Sequence, residues 1–297
     1  MPLALHTLDS LLATGALPIG LGASRLGSVN GATPAEAHAL LSAALDEGIR
    51  FFDTSNIYGQ GDSEQLIGKT LGQRDDCAVC SKAGKYLDWK KRLLTPLKGA
   101  LRRMTRRSEK TRKTVAAARA KPMPTNWDPS FLIRSLEGSL RRLNRPRIEI
   151  FMLHSPDSEV LRRGDAIDAL ERAQTAGKIG VIGVSVDDVK TAETALQDKR
   201  ILALQIPLRP GETDFDAISL AAANSGVDII AREILGGVLA SNAITNTQNF
   251  AQNRIIEMIE RPEIALAIIG TTRMSNLRAS IASARMACKA QRPEKKQ

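Results

Sequence analysis

Asp53 and Tyr58 stand five residues apart in a stretch of the chain whose residue types could carry proton-transfer chemistry. Asp53 ends an apolar run, which predicts a buried strand that delivers the carboxylate to its carboxyl end. Tyr58 lies in the turn that follows, beside Gly59, and Ser63 is the predicted N-cap of the next helix. Ionisable side chains just beyond strand ends are where α/β barrels place their chemistry. On its own, this spacing also fits a capping aspartate and a surface tyrosine.

Two more ionisable residues follow predicted strands. Lys82 comes directly after the strand predicted at residues 77–81, and His154 comes directly after the strand predicted at 148–153. Lys85 is an alternative to Lys82, although it lies three residues further along the chain. The carboxyl ends of parallel barrel strands share one face, so these side chains are expected to lie near the first pair.

Eight strand–helix alternations must position these side chains. The predicted strands cover residues 17–22, 50–52, 77–81, 148–153, 179–184, 201–206, 227–231 and 264–269. Capping signals, such as the box that begins at Thr33, and apolar residues at helical spacing indicate the helices between them. This alternation predicts an α/β fold, a (β/α)8 TIM barrel in a single domain over residues 1–297.

The stretch FFDTSNIYGQGDSEQLIGKTL, residues 51–71, closely resembles the signature of the aldo-keto reductases. In that signature a strand ending in F-D-T is followed by Y-G, then S-E, then L-G. The resemblance implies a (β/α)8 barrel that reduces carbonyl compounds with a nicotinamide cofactor. It also implies a catalytic tetrad, in which the histidine belongs to an L-H-S-P-D motif. The matching residues are Asp53, Tyr58, Lys82 and His154.

The implied reaction places a hydride on a carbonyl carbon and a proton on its oxygen. Tyr58 would donate the proton, but a free tyrosine has a pKa near 10 and is a poor acid at neutral pH. The ammonium of Lys82 is expected to lower that pKa toward the working range, while Asp53 holds Lys82 in place. His154 would bind the carbonyl oxygen and orient it.

The resemblance further implies an NADP site. Ser185 and Gln205 match family positions that hold the nicotinamide carboxamide, and Gly22 ends the first predicted strand, where a glycine lets other groups approach the backbone. The loop that receives the adenosine phosphate, at the start of the last helix, is matched by Gly270, Thr271, Thr272 and Arg273. Arg273 is the candidate for binding a 2′-phosphate.

Three positions depart from the family pattern in this cofactor region. Val186 stands where the family commonly has Asn, and Ala279-Ser280 aligns with the usual Glu-Asn pair. Arg232 stands where many members stack a Tyr on the nicotinamide. These departures keep open a second class of function, a dinucleotide-binding barrel that serves as a regulatory or interaction subunit without significant turnover.

The net charge of +10 belongs to one segment. Of the 42 Lys and Arg and the 32 Asp and Glu in the chain, residues 86–127 hold 13 and 2, which leaves 29 and 30 elsewhere. This basic insertion also contains Tyr86, Trp89 and Trp127. We expect a mobile lid whose aromatic base lines the substrate pocket and whose charge draws in anionic substrates or the cofactor. A silent insertion and a nucleic-acid surface are the alternatives, the latter disfavoured because a charge run is usually a solvated face.

The remaining composition indicates a cytoplasmic enzyme. Three cysteines are too few for a disulfide framework, and Cys77 and Cys80 form a C-x2-C pair without a second ligand pair, so no metal site is predicted. We find no apolar run of about 18 residues and no signal-peptide pattern, so neither a membrane span nor secretion is expected. The expected partner is a small carbonyl substrate.

Overall fold

A closed barrel of eight parallel strands forms the centre of the molecule. The computed structural model describes residues 8, 15–28, 31–87, 123–236 and 248–291. The strands are β1 Ile19–Gly22, β2 Phe51–Asp53, β3 Ala78–Ala83, β4 Ile148–His154, β5 Ile179–Ser185, β6 Ile201–Pro207, β7 Asp228–Arg232 and β8 Leu266–Gly270. Each strand pairs with the next in chain order, and β8 pairs with β1. The predicted (β/α)8 barrel is confirmed.

Helices follow the strands on the outside of the barrel. They are α1 Pro34–Asp46, α2 Asp62–Leu71, α3 Pro129–Leu143, α4 Ser158–Arg163, α5 Asp165–Thr175, α6 Val189–Leu196, α7 Asp216–Asn224, α8 Gln248–Glu260 and α9 Met274–Gln291. The capping box at Thr33 is present, and Asp128 caps α3 through the backbone N–H groups of Ser130 and Phe131. The short helix α4, capped by Asp157, was not predicted, because it lies within a loop rather than in an apolar periodic segment.

The prediction that Ser63 caps α2 is wrong. The helix begins at Asp62 after Gly61, whose φ of 94° turns the chain into the helix without a side-chain cap. The Ser63 hydroxyl is buried and donates instead to the carbonyl oxygen of Ala23, at 2.9 Å. It also lies 2.8 Å from the hydroxyl of Thr54, so Ser63 joins the ends of β1 and β2.

The core has two layers. Inside the barrel, alternate strand residues such as Phe51, Ile150, Met152 and Leu266 pack against one another. A Cβ at Gly20 would lie 2.6 Å from the Phe51 ring, so this glycine makes room for the ring inside the barrel. The outer layer packs the helices against the strands, and α3 contributes its predicted apolar face, Leu132, Leu136, Leu140 and Leu143.

The described ends of the basic insertion pair with each other on the barrel. Lys85 forms an antiparallel bridge with Thr125, and the Asn126 N–H donates to the Gly84 carbonyl at 2.8 Å. A Cβ at Gly84 would lie 2.0 Å from the Trp127 ring, which shows how closely the ring lies against this backbone. Residues 88–122, including Trp89, lie outside the described part, so the lid stays a prediction, as do the domain boundaries.

Gly61→Ala should destabilise the protein more than Gly164→Ala. Both glycines have positive φ, 94° and 77°, so each alanine pays roughly 1–2 kcal/mol of backbone strain. At Gly61 the new Cβ would also lie 2.8 Å from Arg142 Cδ, whereas nothing lies within 4 Å at Gly164. We expect a further loss of about 1–3 kcal/mol at Gly61, measured by urea unfolding. Equal losses in the two variants would contradict the contact.

Candidate active site

A buried ion pair between Asp53 and Lys82 lies at the centre of the site. β2 and β3 pair in parallel, which places both residues near the carboxyl ends of neighbouring strands. Lys82 is fully buried, and its ammonium donates to the Asp53 carboxylate and to the Thr54 carbonyl at 2.9 Å. Burial lowers the pKa of Lys82, but the Asp53 carboxylate more than reverses this, so the net pKa is raised and the ammonium stays charged. The lysine that pairs with Asp53 is therefore Lys82 and not the alternative, Lys85.

Tyr58 lies beside this pair in a turn of left-handed residues. Gly59, Gln60 and Gly61 all have positive φ, and the Lys82 ammonium lies 5.5 Å from the centre of the Tyr58 ring. The expected fall in the Tyr58 pKa is wrong. Burial raises this pKa above its usual value, and the opposing effect of Lys82 is too small to offset it. Tyr58 is therefore a protonated phenol at neutral pH.

His154 completes the predicted tetrad at the end of β4. Its ring meets the Tyr58 ring edge to face, with 5.9 Å between the centroids and 89° between the planes. Burial, together with the positive charges of Lys85, Lys82 and Arg232, holds the pKa of His154 well below its usual value. The imidazole is therefore neutral at neutral pH.

Ser55 is a site residue that the sequence reasoning missed. Its hydroxyl is buried and lies 3.0 Å from His154 Nδ1, which leaves Nε2 as the ring nitrogen for a substrate. The available signal was its place between Asp53 and Tyr58, in the loop at a strand end. Such a contact orients the imidazole.

Two predicted cofactor residues are linked to the tetrad, one directly and one through the other. The Gln205 side-chain amide donates to the Asp53 carboxylate at 2.8 Å, and the Ser185 hydroxyl donates to the Gln205 side-chain oxygen at 3.0 Å. All three side chains are buried, and they come from β2, β5 and β6. Ser185, Gln205, Asp53 and Lys82 thus form one continuous hydrogen-bonded row.

Arg232 ends β7 and is held by ion pairs. Its guanidinium donates to the carboxylates of Asp187 and Glu233, and to the Val186 carbonyl at 2.8 Å. The side chain is 16% exposed. Where an aromatic ring would offer a flat apolar face, this chain presents a guanidinium fixed from two sides.

The remaining predicted cofactor residues lie at the ends of β1 and β8. Gly22 is in register with Asp53 on one side and with Gly270 on the other, so all three lie on the same barrel face. After Gly270, the Thr271 hydroxyl accepts from the Arg273 N–H at 3.0 Å, just before α9 begins. Arg273 is exposed and Thr272 is half-buried at this helix start.

Glu64 joins the turn of Tyr58 to two other elements. It is fully buried, and its carboxylate accepts from the Ser81 hydroxyl and from Arg142 Nε, both at 2.6 Å. Ser81 directly precedes Lys82, and Arg142 belongs to α3. The S-E of the sequence motif therefore fixes the loop of Tyr58 relative to the strand of Lys82.

The cysteine pair has no reactive character. Cys77 and Cys80 are buried thiols, and burial raises the pKa of Cys77 to about 11 and raises that of Cys80 further. Within the described ranges, no group of three or more His, Cys, Asp or Glu side chains could hold a metal ion.

Comparison with known proteins decides the family. The model of the aldo/keto reductase family matches residues 18–257, which is most of the chain. The chain belongs to the aldo-keto reductase family. Membership in this family makes it an NAD(P)H-dependent oxidoreductase.

Named relatives share about a quarter to a third of the residues with this aldo-keto reductase. Pyridoxal 4-dehydrogenase of Microbacterium luteolum is 28% identical over 253 residues, which cover 75% of this chain and 68% of the relative. For 6-dehydroglucose reductase of Novosphingobium aromaticivorans the identity is 29% over 174 residues, 57% of this chain and 47% of the relative. A solved aldo-keto reductase from Klebsiella pneumoniae, in complex with NADP and acetate, matches with a TM-score of 0.68 at 18% identity, covering 95% and 94% of the two chains. The last similarity shows the fold.

His154→Asn should change how the stability of this aldo-keto reductase depends on pH. The folded protein holds His154 neutral with a depressed pKa, so below about pH 6.5 the unfolded chain binds more protons than the folded one. Wild-type stability should therefore fall as the pH drops, by up to about 1.4 kcal/mol per pH unit from this group, and the variant should lack this slope. Denaturant unfolding between about pH 8 and pH 5 measures it.

The matched control is His38→Asn. His38 is exposed and bonded to Thr70, so its removal should leave the slope in place. Parallel stability curves for the wild type and His154→Asn would contradict a buried neutral imidazole.

Proposed function

We propose that this protein is an NADP-dependent carbonyl reductase in which Tyr58 gives the proton to the substrate oxygen. The observation that carries the proposal is a protonated Tyr58 beside a buried Lys82–Asp53 pair and a neutral His154. Reduction of an aldehyde or ketone needs a proton donor at the oxygen, a group that orients that oxygen, and a means of stabilising the donor once it has lost its proton.

Tyr58 has the right protonation state for the reducing direction. Because burial raises its pKa, the phenol holds its proton until the oxygen of the substrate becomes basic. The Lys82 ammonium near its ring then stabilises the phenolate that remains. Oxidation of an alcohol would need that phenolate at the outset, which burial disfavours. The site therefore favours reduction near neutral pH.

His154 acts as a neutral hydrogen-bonding group. An imidazolium is excluded by its depressed pKa, so His154 orients the carbonyl oxygen without competing with Tyr58 as the acid. Ser55 at Nδ1 keeps the ring in place for this task.

The residues at the ends of β5, β6 and β8 fit an NADP molecule. Ser185 and Gln205 offer a buried hydroxyl and amide that suit a carboxamide, and the exposed Arg273 at the start of α9 suits a phosphate. When bound, the nicotinamide supplies the hydride. The structural neighbour solved with NADP supports this choice of cofactor.

A non-catalytic, dinucleotide-binding role is the second candidate, and Arg232 is the observation that favours it. A guanidinium held between Asp187 and Glu233 occupies a position where many members stack an aromatic ring. The tetrad geometry argues for turnover. A protein that binds NADPH but reduces no aldehyde or ketone in a broad substrate panel would fit the second candidate.

We place the enzyme in the cytoplasm, acting on a small carbonyl compound. The sparse cysteines, with Cys77 and Cys80 buried as thiols, suit a reducing compartment. In the part of the chain that the structure describes, no helix combines the length and the apolar character that a bilayer crossing demands.

Tyr58→Phe should abolish carbonyl reduction and preserve cofactor binding. The substitution removes the proposed proton donor and keeps the ring, so we expect kcat to fall at least about 100-fold while the Kd for NADPH stays within about twofold. Tyr86→Phe removes the other tyrosine hydroxyl in the chain but keeps the ring that is expected to line the pocket, so kcat should be retained in this matched control. Wild-type turnover in Tyr58→Phe would refute the assignment.

NADPH should bind at least about tenfold more tightly than NADH, because a guanidinium at a helix start recognises a phosphate well. Arg273→Ala should narrow this gap. Arg285 lies further along α9 and pairs with Glu47 at 2.8 Å. Arg285→Ala should therefore leave the difference between the NADPH and NADH affinities unchanged. Fluorescence titration of both cofactors measures it. Equal affinities in the wild type would overturn the preference for NADP.

A further inference from the structure

A row of alternating charges ends beside His154. It begins at Glu212, which accepts from Arg209 at 3.1 Å, and continues through Arg209 to Glu233 at 2.7 Å. Glu233 and Asp187 both bind the guanidinium of Arg232. The row ends at Lys85. Its carboxylates include Glu212 and Asp187, which are 46% and 55% exposed.

Lys85 is the inner, positive end of this row. Its ammonium donates to the Ser155 hydroxyl at 2.8 Å, and Ser155 directly follows His154. The Ser155 hydroxyl in turn hydrogen-bonds the Asp187 carboxylate, which lies 4.0 Å from the ammonium. The Lys85 side chain is 23% exposed, so the charge is partly withdrawn from water yet still reachable.

The positive charge of Lys85 is less well neutralised by a neighbouring carboxylate than the charges of Lys82 and Arg232, the other cations beside His154. Lys82 is paired directly with Asp53, and Arg232 is paired directly with Asp187. Among the described residues, the carboxylate recorded near the Lys85 ammonium is the more distant one of Asp187, which is already bound to Arg232. Burial lowers the pKa of Lys85, Asp187 opposes this, and Arg232 and Lys82 add to the lowering. An anion placed at Lys85 would therefore be bound favourably.

The backbone holds Lys85 in a fixed position. The Asn56 side chain donates to the Lys85 carbonyl at 3.2 Å, which ties Lys85 to the loop of Tyr58. On the other side, Lys85 forms the bridge to Thr125. Ser155 itself has a φ of 56°, a left-handed conformation that non-glycine residues adopt chiefly where the surroundings demand it.

We propose that Lys85, with the Ser155 hydroxyl, is an anion-recognition site for the substrate, and that the carbonyl compounds this enzyme reduces carry a carboxylate. This inference rests on the proposed reductase function and deepens it. Lys85 follows β3 and is bonded to Ser155 next to His154, the residue proposed to orient the substrate oxygen, whereas Ser185, Gln205 and Arg273 follow β5, β6 and β8. Because of its place beside His154 we assign the ammonium to the substrate, and a carboxylate there would add a charge-assisted hydrogen bond to substrate binding.

The test uses two aldehydes that carry a carboxylate at different distances from the aldehyde group. Each acid is compared with its neutral methyl ester. The probes are 4-oxobutanoate and 4-carboxybenzaldehyde, with kcat/KM measured at saturating NADPH. We expect the wild type to prefer the acid at least about tenfold in one pair or both, as one charge-assisted hydrogen bond predicts, and to lose part of this preference in high salt. In Lys85→Gln the acid-to-ester ratio should fall about tenfold, and Lys85→Arg should retain part of it.

Lys178→Gln is the matched control. Lys178 pairs with Glu137 and directly precedes β5, at the opposite end of that strand from Ser185, so the ratio should not change. If Lys85→Gln fails to fold, inhibition of the wild type provides the second measurement. Succinate should inhibit competitively with an inhibition constant that rises with salt, and its dimethyl ester should inhibit at least about tenfold less.

Several results would overturn the site. Equal kcat/KM for acid and ester in both wild-type pairs would do so, as would an unchanged ratio in Lys85→Gln. If Lys85→Gln instead raises KM for NADPH and leaves the ratio intact, the ammonium serves the cofactor and the proposal fails. A wild type that reduces esters and acids alike refutes only the anion site, whereas one that reduces no carbonyl compound at all refutes the proposed function as well.

Discussion

The buried ion pair of Lys82 and Asp53 is the constraint on which the rest of the site depends. A fully buried ammonium is stable only with a carboxylate beside it, and loss of one partner of such a pair costs about 3–5 kcal/mol. The pair also explains its surroundings. The Thr54 carbonyl accepts a second hydrogen bond from the ammonium, and the Gln205 amide donates a second one to the carboxylate. A charged group can therefore be kept next to Tyr58 in a place that water does not reach, where its effect on a phenolate is strong.

The barrel and the tetrad could be predicted because their signals are local. Each strand is a short apolar run, and each side chain of the predicted tetrad follows its predicted strand directly along the chain, except Tyr58, which a motif identified. The direction of the Tyr58 pKa could not be predicted in this way. It depends on the balance between burial and the charge of Lys82, and burial is a sum over the whole fold. Ser63 failed as a cap for a similar reason, since its partners Ala23 and Thr54 lie on two other segments.

The residues that sequence reasoning missed are brought together by the parallel pairing of neighbouring strands. Ser55 and His154 are 99 positions apart in the chain, yet they are in contact because β2 and β4 both flank β3. Arg232 was noticed only as a departure from a family pattern. Arg232 links Asp187 and Glu233 because the ends of β5 and β7 lie on the same face of the barrel. Loop side chains of this kind have no periodicity to reveal them, so their partners can be identified only in three dimensions.

The hydrogen bonds that link Ser185, Gln205 and Asp53 all donate in one direction, toward Asp53. Asp53, when ionised, can only accept, so it receives one amide hydrogen of Gln205, and this orientation turns the Gln205 oxygen toward Ser185. Ser185 has a single hydroxyl proton and gives it to that oxygen, which leaves its own lone pairs as the acceptor at the end of the row. A ring substituent that meets both residues must then offer a donor to Ser185 and an acceptor to the second Gln205 hydrogen. A carboxamide satisfies both at once, whereas an ester or a carboxylate would set oxygen against oxygen at Ser185. If Ser185 and Gln205 hold the nicotinamide, as proposed, the hydrogen bonds that begin at the Asp53 carboxylate would therefore select a carboxamide.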